Sequence, residues 1–301
     1  FKNTMNRYSK LMKRVQEGEC ILIDGATGTE VERRGVPKLD NAWNGGGALS
    51  HPETVKQIHK DYIQSGAEIV ISNTFATTKH ALRDANQENN FEALNRRGVE
   101  LAIQAREELA KDNILVAGGI SYWTWTGNKP TLKELELSVT KQAHIMREAG
   151  ADFIMLEMMI DIEQMVTTFE AAKSSGLPVW IGLTCEPNQS DRMCLRDGDE
   201  LEDVINQIKS DCPDVINIMH TEVKFVDRCL TILQNQWNGL VGVYAHSGQT
   251  VDGKWTFEDV ISAKEYCEYS AHWKKKGVSF IGGCCGVHTE HINLIQKELF
   301  S

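Results

Sequence analysis

The chain has 301 residues, 41% of them hydrophobic and 25% charged, the make-up of a globular protein with material for a sizeable core. Its 32 Lys and Arg against 42 Asp and Glu leave a net charge of −10, which argues against a grip on nucleic-acid phosphates. No apolar stretch approaches the ~20 residues of a membrane span and no signal-peptide pattern opens the chain, so no membrane partner is expected and the expected location is cytoplasmic. The eight cysteines, in a chain this long, read as mostly buried reduced thiols rather than a disulfide framework.

Along the chain, short β-rich apolar runs alternate with longer stretches of helical period. Strands are predicted at 20–24, 67–73, 113–119 and 152–157, then at 178–185, 214–220, 239–245 and 278–283. Helices are predicted near 50–65, 89–111, 131–149 and 161–174, then near 199–209, 223–235, 257–275 and 288–299. The strands are near-continuous apolar runs, as a parallel sheet buried on both faces requires. Gly66 and Gly150 stand where a C-cap glycine ends a helix before the next strand. Eight βα units in one chain predict an α/β fold, a single (β/α)8 TIM barrel forming one domain over 1–301. The competing fold, an open doubly wound sheet, wants a G-x-G-x-x-G turn after the first strand. Gly25-Ala26-Thr27-Gly28-Thr29 lacks that spacing.

Barrel chemistry gathers at the C-terminal ends of the strands. In chain order those ends carry Asp24, Asn73-Thr74, the Ser121-Tyr122-Trp123 loop, Glu157, Cys185 and His220. Tyr244 to Gly248 and Gly282-Gly283-Cys284-Cys285-Gly286 complete the mouth. The last run is the most specific. Its glycines let the backbone bring two thiolates to one point, and two sulfur donors with a third N or S donor and an open position describe a catalytic zinc site. A vicinal disulfide, two incidental buried thiols and a glycine-rich phosphate loop are the other readings of the same run.

For the third donor the candidates are His220 and Cys185. Side chains inside such barrels layer by alternate strands, which pairs strand six with strand eight; that favours His220 and leaves Cys185 as the fallback. Asp24 and Glu157 each end an apolar run, where a carboxylate needs a cationic or donor partner. A substrate ammonium would serve, and so would a neighbouring loop amide. His51, His59, His80, His144, His272 and His291 are read as residues of solvated faces.

With these residues set out, the sequence resembles the homocysteine S-methyltransferase family along nearly its whole length. Asp24-Gly25-Ala26-Thr27-Gly28-Thr29-Glu30 with Glu32-Arg33-Arg34-Gly35 is similar to the family's first-strand element. His51-Pro52-Glu53 through Asn73-Thr74-Phe75 resembles its second unit, and Ala149-Gly150-Ala151-Asp152 with Glu157 its fourth. Tyr244 to Gly248 resembles a "YPNSG" stretch, and Gly282 to Gly286 followed by His288-Thr289-Glu290-His291-Ile292 matches the C-terminal signature.

The resemblance implies a zinc-dependent methyltransferase acting on the sulfur of homocysteine or a similar thiol amino acid. It implies Zn2+ on Cys284, Cys285 and a third position that falls on His220, where the family has Cys. Replacing a thiolate by a neutral imidazole removes one negative charge from the centre. The bound sulfur is then held more firmly as thiolate but is a weaker nucleophile, so an onium donor such as betaine, a sulfonium or S-methylmethionine is expected. Asp24 and Glu157 fall on positions that hold the substrate amino group, with Gly25, Asn73, Thr74 and Ser247 expected beside them. Trp43, Phe75, Tyr122, Trp123 and Trp125 lie in loops at the mouth, where aromatic faces suit an onium methyl group. Two other readings stay open: a divergent member that acts on another thiol or serves as a binding protein, and a phosphate-binding barrel enzyme without zinc. The sequence leaves an oligomer open.

Overall fold

The computed structural model describes residues 6–251, 254–256 and 260–300. Eight parallel strands form its centre: β1 Ile21–Leu22, β2 Ile69–Ile71, β3 Leu115–Ile120, β4 Phe153–Met159, β5 Val179–Leu183, β6 Val215–Glu222, β7 Leu240–His246 and β8 Phe280–Gly283. From β2 to β8 each strand pairs with the next, and β8 returns to β1 through Ile21↔Phe280 and Leu22↔Ile281. An Ile23↔Ile69 bridge joins β1 to β2 and closes the ring. This is the (β/α)8 barrel that the alternating pattern predicts. Nearly every strand residue is buried, because one face meets the barrel interior and the other meets helices.

Helices follow the strands in turn: α1 Pro52–Gln64, α2 Phe91–Glu108, α3 Leu132–Ala149, α4 Ile162–Lys173, α5 Leu201–Ile208, α6 Val223–Gln236, α7 Ala263–Lys275 and α8 Thr289–Leu299. Their ends obey local chemistry. Thr131 and Glu134 form a reciprocal capping box at the start of α3, and Gly150, at φ 105°, ends it in the left-handed conformation. The helix expected from 257 begins instead at Ala263, where the Ser262 side chain accepts from the Glu265 amide; residues 257–259 lie outside the described residues. Further elements lie outside the eight-unit pattern: an amphipathic helix Arg7–Gln16 that buries Tyr8, Leu11 and Val15, a short helix Gly28–Arg33, and a hairpin pairing Cys185–Pro187 with Met193–Leu195. No helix among the described residues is long and apolar enough to cross a membrane.

The N-terminal helix closes the floor of the barrel. Trp180, fully buried, packs against Phe153 and Phe280 at ring-centroid distances of 4.3 and 4.5 Å, near the starts of β4 and β8. Its indole N–H donates to the Tyr8 hydroxyl at 2.8 Å, and that hydroxyl donates to Asp214 at 2.5 Å. The polar ends of both rings are thereby satisfied in an apolar setting. Two strands are irregular at the opposite end. β4 shifts register between Leu156 and Met159, with Met158 at φ 56°, and β6 shifts between Met219 and Glu222, with His220 at φ 42°. Replacing Trp180 by Ala should lower stability by about 3–5 kcal/mol through the cavity it leaves. Denaturant unfolding of the two proteins measures that difference.

Candidate active site

At the C-terminal mouth, His220, Cys284 and Cys285 place one ligand atom each within 4.8 Å of one another. The Cys284 Sγ lies 3.5 Å from His220 Nδ1 and 4.0 Å from the Cys285 Sγ. Tetrahedral zinc with ordinary bond lengths holds two sulfurs about 3.8 Å apart and a sulfur and nitrogen about 3.6 Å apart. The donor set and spacing therefore fit a zinc ion. The two thiols are free rather than bridged. The hydrogen bond between them pushes Cys284 up and Cys285 down, with burial adding to the rise at Cys284.

The loop that carries the cysteines is shaped by its glycines. Gly286 has φ 78°, and a Cβ there would stand 2.1 Å from the Ser247 carbonyl oxygen, so only glycine fits. The Gly283 amide donates to Asp24 O at 3.0 Å and the Cys284 amide to Ala245 O at 2.8 Å. Those amides are spent on neighbouring strands and are not free to cradle a phosphate.

The three donors line a cavity of about 530 Å³ together with Asp24 and Glu157. Both acids are buried. Asp24 Oδ2 accepts from the Ile71 amide at 2.9 Å, yet burial, with the Glu157 charge adding, still drives its pKa well up. Burial likewise pushes Glu157 up to about 8, against a weak 3.4 Å bond from the Tyr244 hydroxyl. Room for Glu157 comes from Gly119, where a Cβ would lie 2.9 Å from Oε1. Two poorly satisfied carboxyl groups thus face one cavity, which is the electrostatic demand of a site for a cation.

Gly25, Asn73, Trp43, Phe75, Trp123 and Trp125 also line this cavity. Four expected site residues do not. Thr74 is fully buried and donates to Gly119 O at 2.6 Å. The Ser247 hydroxyl accepts from the Ile261 amide at 2.6 Å. Tyr122 is buried; its hydroxyl accepts from the Ile160 amide at 2.7 Å and so braces the end of β4 rather than facing a donor. Cys185 lies in the hairpin beyond β5, beside Cys229, outside the metal-ligating group.

The histidines divide differently from the sequence reading. His59, His80 and His291 are buried, because their helices turn them inward. Burial lowers His59 to about 4. His80 bonds the Trp123 carbonyl at 2.9 Å and so holds an aromatic wall of the cavity. His246, unassigned from sequence, packs its ring against that of His220 with centroids 4.4 Å apart and planes tilted by 59°, and burial lowers it to about 3. Behind the cysteine loop, His288 pairs with buried Glu30 at 2.7 Å. Burial alone would raise Glu30, but bonds from His288 and Arg34 outweigh it and hold the carboxyl at about 2.

A family model described as homocysteine S-methyltransferase matches residues 21–299. The chain belongs to the homocysteine S-methyltransferase family. The selenocysteine methyltransferase of Astragalus bisulcatus is 26% identical over 326 aligned positions, covering 95% of this chain and 94% of that one. Homocysteine S-methyltransferase 1 of Arabidopsis thaliana is 25% identical over 311, covering 94% of each. The homocysteine methyltransferase MmuM of Escherichia coli, in its metallated form, shares the fold at TM-score 0.80 and 22% identity, covering 97% of this chain and 99% of that one. This member of the family is an enzyme of the methyltransferase class, with a small thiol amino acid and a methyl donor as its substrates. Infrared difference titration should show a carboxylic-acid band that persists at neutral pH and converts to carboxylate near pH 8, as the raised Glu157 requires. The Glu157→Gln variant should lose the component that converts near pH 8 and keep only the contribution of Asp24.

Proposed function

We propose that the chain transfers a methyl group from a small onium donor to the thiol of homocysteine, giving methionine, with zinc on His220, Cys284 and Cys285. The observation that carries this reading is the clustering of three ligand atoms within 4.8 Å, on a cavity that also holds two desolvated carboxyl groups. Bound zinc would supply Lewis acidity that favours the thiolate form of the substrate at neutral pH. The metallated form of MmuM, a neighbour in fold, supports a metal here.

The protein's own groups do the binding and orienting. Asp24 offers its second carboxylate oxygen, and Glu157 its carboxyl, to the substrate ammonium. An ammonium beside Glu157 draws its pKa back down, so binding releases a proton at neutral pH. Gly25 and Asn73 line the same cavity, and Gly25 is held to glycine because a Cβ there would stand 2.4 Å from the Val287 carbonyl oxygen and 2.9 Å from the Tyr62 ring. Transfer forms the sulfur–methyl bond while the donor's heteroatom–methyl bond breaks. The electron pair of that bond stays with the donor, which leaves uncharged at that atom, and the thiol proton goes to solvent. Trp43, Phe75 and Trp125 present aromatic faces that stabilise the onium group before transfer, whereas the Trp123 ring already carries a guanidinium.

Purified protein should carry one zinc per chain, and Cys284→Ala, Cys285→Ala and His220→Ala should each be substoichiometric in metal by elemental analysis. Zinc-free protein with both cysteines intact would overturn the assignment. A donor screen with homocysteine, reading methionine and demethylated donor by mass spectrometry, should find onium donors active. His220→Cys should keep zinc and shift turnover toward weaker, tertiary-amine donors; unchanged selectivity would remove the tuning role of the imidazole.

A further inference from the structure

Arg196 lines the same cavity and has no assigned role in the reaction. It follows the hairpin after β5, and its amide donates to Thr184 O at 3.2 Å, which anchors it at the top of that strand. Its guanidinium lies 5.1 Å from the centroid of the Trp123 ring. That ring sits on a fixed support, since His80 bonds the Trp123 carbonyl and the Trp123 amide donates to the Ser121 hydroxyl at 3.2 Å. The acids nearest in sequence are engaged elsewhere. Asp197 pairs with Lys129 at 2.7 Å, Asp199 accepts from the Ile162 amide at 2.7 Å, and Glu200 pairs with Arg192. Among the described residues no carboxylate forms an ion pair with Arg196, whereas Lys38, the other cation of the cavity wall, pairs with Glu32 at 2.5 Å.

We propose that Arg196 is a specificity-determining residue of this chain, which binds the carboxylate of a zwitterionic onium donor. This rests on the methyl-transfer reading above. A guanidinium has only donors, keeps its charge at every working pH, and when stacked on an aromatic ring leaves its fork of N–H groups free at the edge. Its missing partner is an anionic oxygen from the ligand. In a ring of eight strands β5 stands opposite β1, so the Arg196 loop rises across the mouth from Asp24 and Gly25, which serve the thiol amino acid. Trp43, Phe75 and Trp125, edge to face at 6.4 and 6.1 Å, add π faces for the cationic end of the same donor.

The test compares each zwitterion with its carboxylate-free counterpart: betaine with tetramethylammonium, and dimethylsulfoniopropionate with trimethylsulfonium. Wild-type, Arg196→Met and Arg196→Lys holoenzymes are assayed for transfer to homocysteine, and donor binding is followed by tryptophan fluorescence. The preference for zwitterion over counterpart, as a ratio of kcat/KM and of Kd, should fall about 10- to 100-fold in Arg196→Met. Arg196→Lys should recover part of it, since the charge is kept and the fork is lost. Which of the two pairs shows the larger loss tells a quaternary-ammonium acid from a sulfonium acid. Equal weakening of both members of a pair, or a change confined to the homocysteine KM, would overturn the proposal. If wild type transfers no methyl group from any donor, the reaction reading fails. The binding ratio still decides Arg196: a zwitterion preference lost in Arg196→Met upholds it, and no preference in wild type refutes it.

Discussion

Asp24 is tied into three strands at once. Its amide donates to Ile69 O at 2.9 Å, its Oδ2 accepts from the Ile71 amide at 2.9 Å, and its carbonyl accepts from Gly283 at 3.0 Å. Those bonds sew β1 to β2 on one side and to β8 on the other, where regular pairing of β1 is limited to Ile21 and Leu22. The seam of the barrel and the floor of the cavity are therefore the same residue. One carboxylate oxygen holds the ring shut while the other is left at the cavity, in a setting whose burial penalises its charge. A substrate cation meets that penalty, and this links ring closure to the chemistry of the mouth.

The second constraint is the pair of irregularities in β4 and β6. A regular strand alternates its side chains between the two faces, so a residue at the strand end has little freedom of aim. Met158 at φ 56° and His220 at φ 42° break that alternation, and each break sits beside or on a residue of the cavity. Such conformations are costly for residues with a Cβ and persist where the surroundings over-determine them. Here the Met158 amide donates to Met219 Sδ at 3.1 Å, and the Thr184 hydroxyl to Met219 O at 3.1 Å, so the two bulges brace each other across β5. Glu157 and His220 owe their directions to that brace.

Much of the fold was legible because its signals are local and additive. Continuous apolar runs mark strands buried on both faces, and the register of the eight runs with eight helical stretches leaves few other folds. The glycine-flanked cysteines were legible too, since tight backbone and paired sulfur narrow the chemistry. What failed to read were residues whose role depends on a distant neighbour. Tyr122 and Thr74 look like mouth residues by position, yet each spends its hydroxyl on a backbone group of another loop or strand. His80 looks like a surface residue of a short polar segment, yet it carries the Trp123 loop. Arg196 gives no sequence signal at all, because its meaning lies in the aromatic ring beneath it and in the engagement of the acids around it.

The order of eight βα units and the glycine-flanked Cys284-Cys285 pair were determined by the sequence alone, through the alternation of apolar runs with helical periods and through local backbone chemistry. Tertiary structure decided which chemistry-bearing residues share a cavity, because that depends on ring closure, on two bulges and on hydrogen bonds between residues far apart in sequence. It set His220 rather than Cys185 beside Cys284 and Cys285, since strand six lies with strand eight in the alternate layering of the barrel while the hairpin after β5 carries Cys185 away.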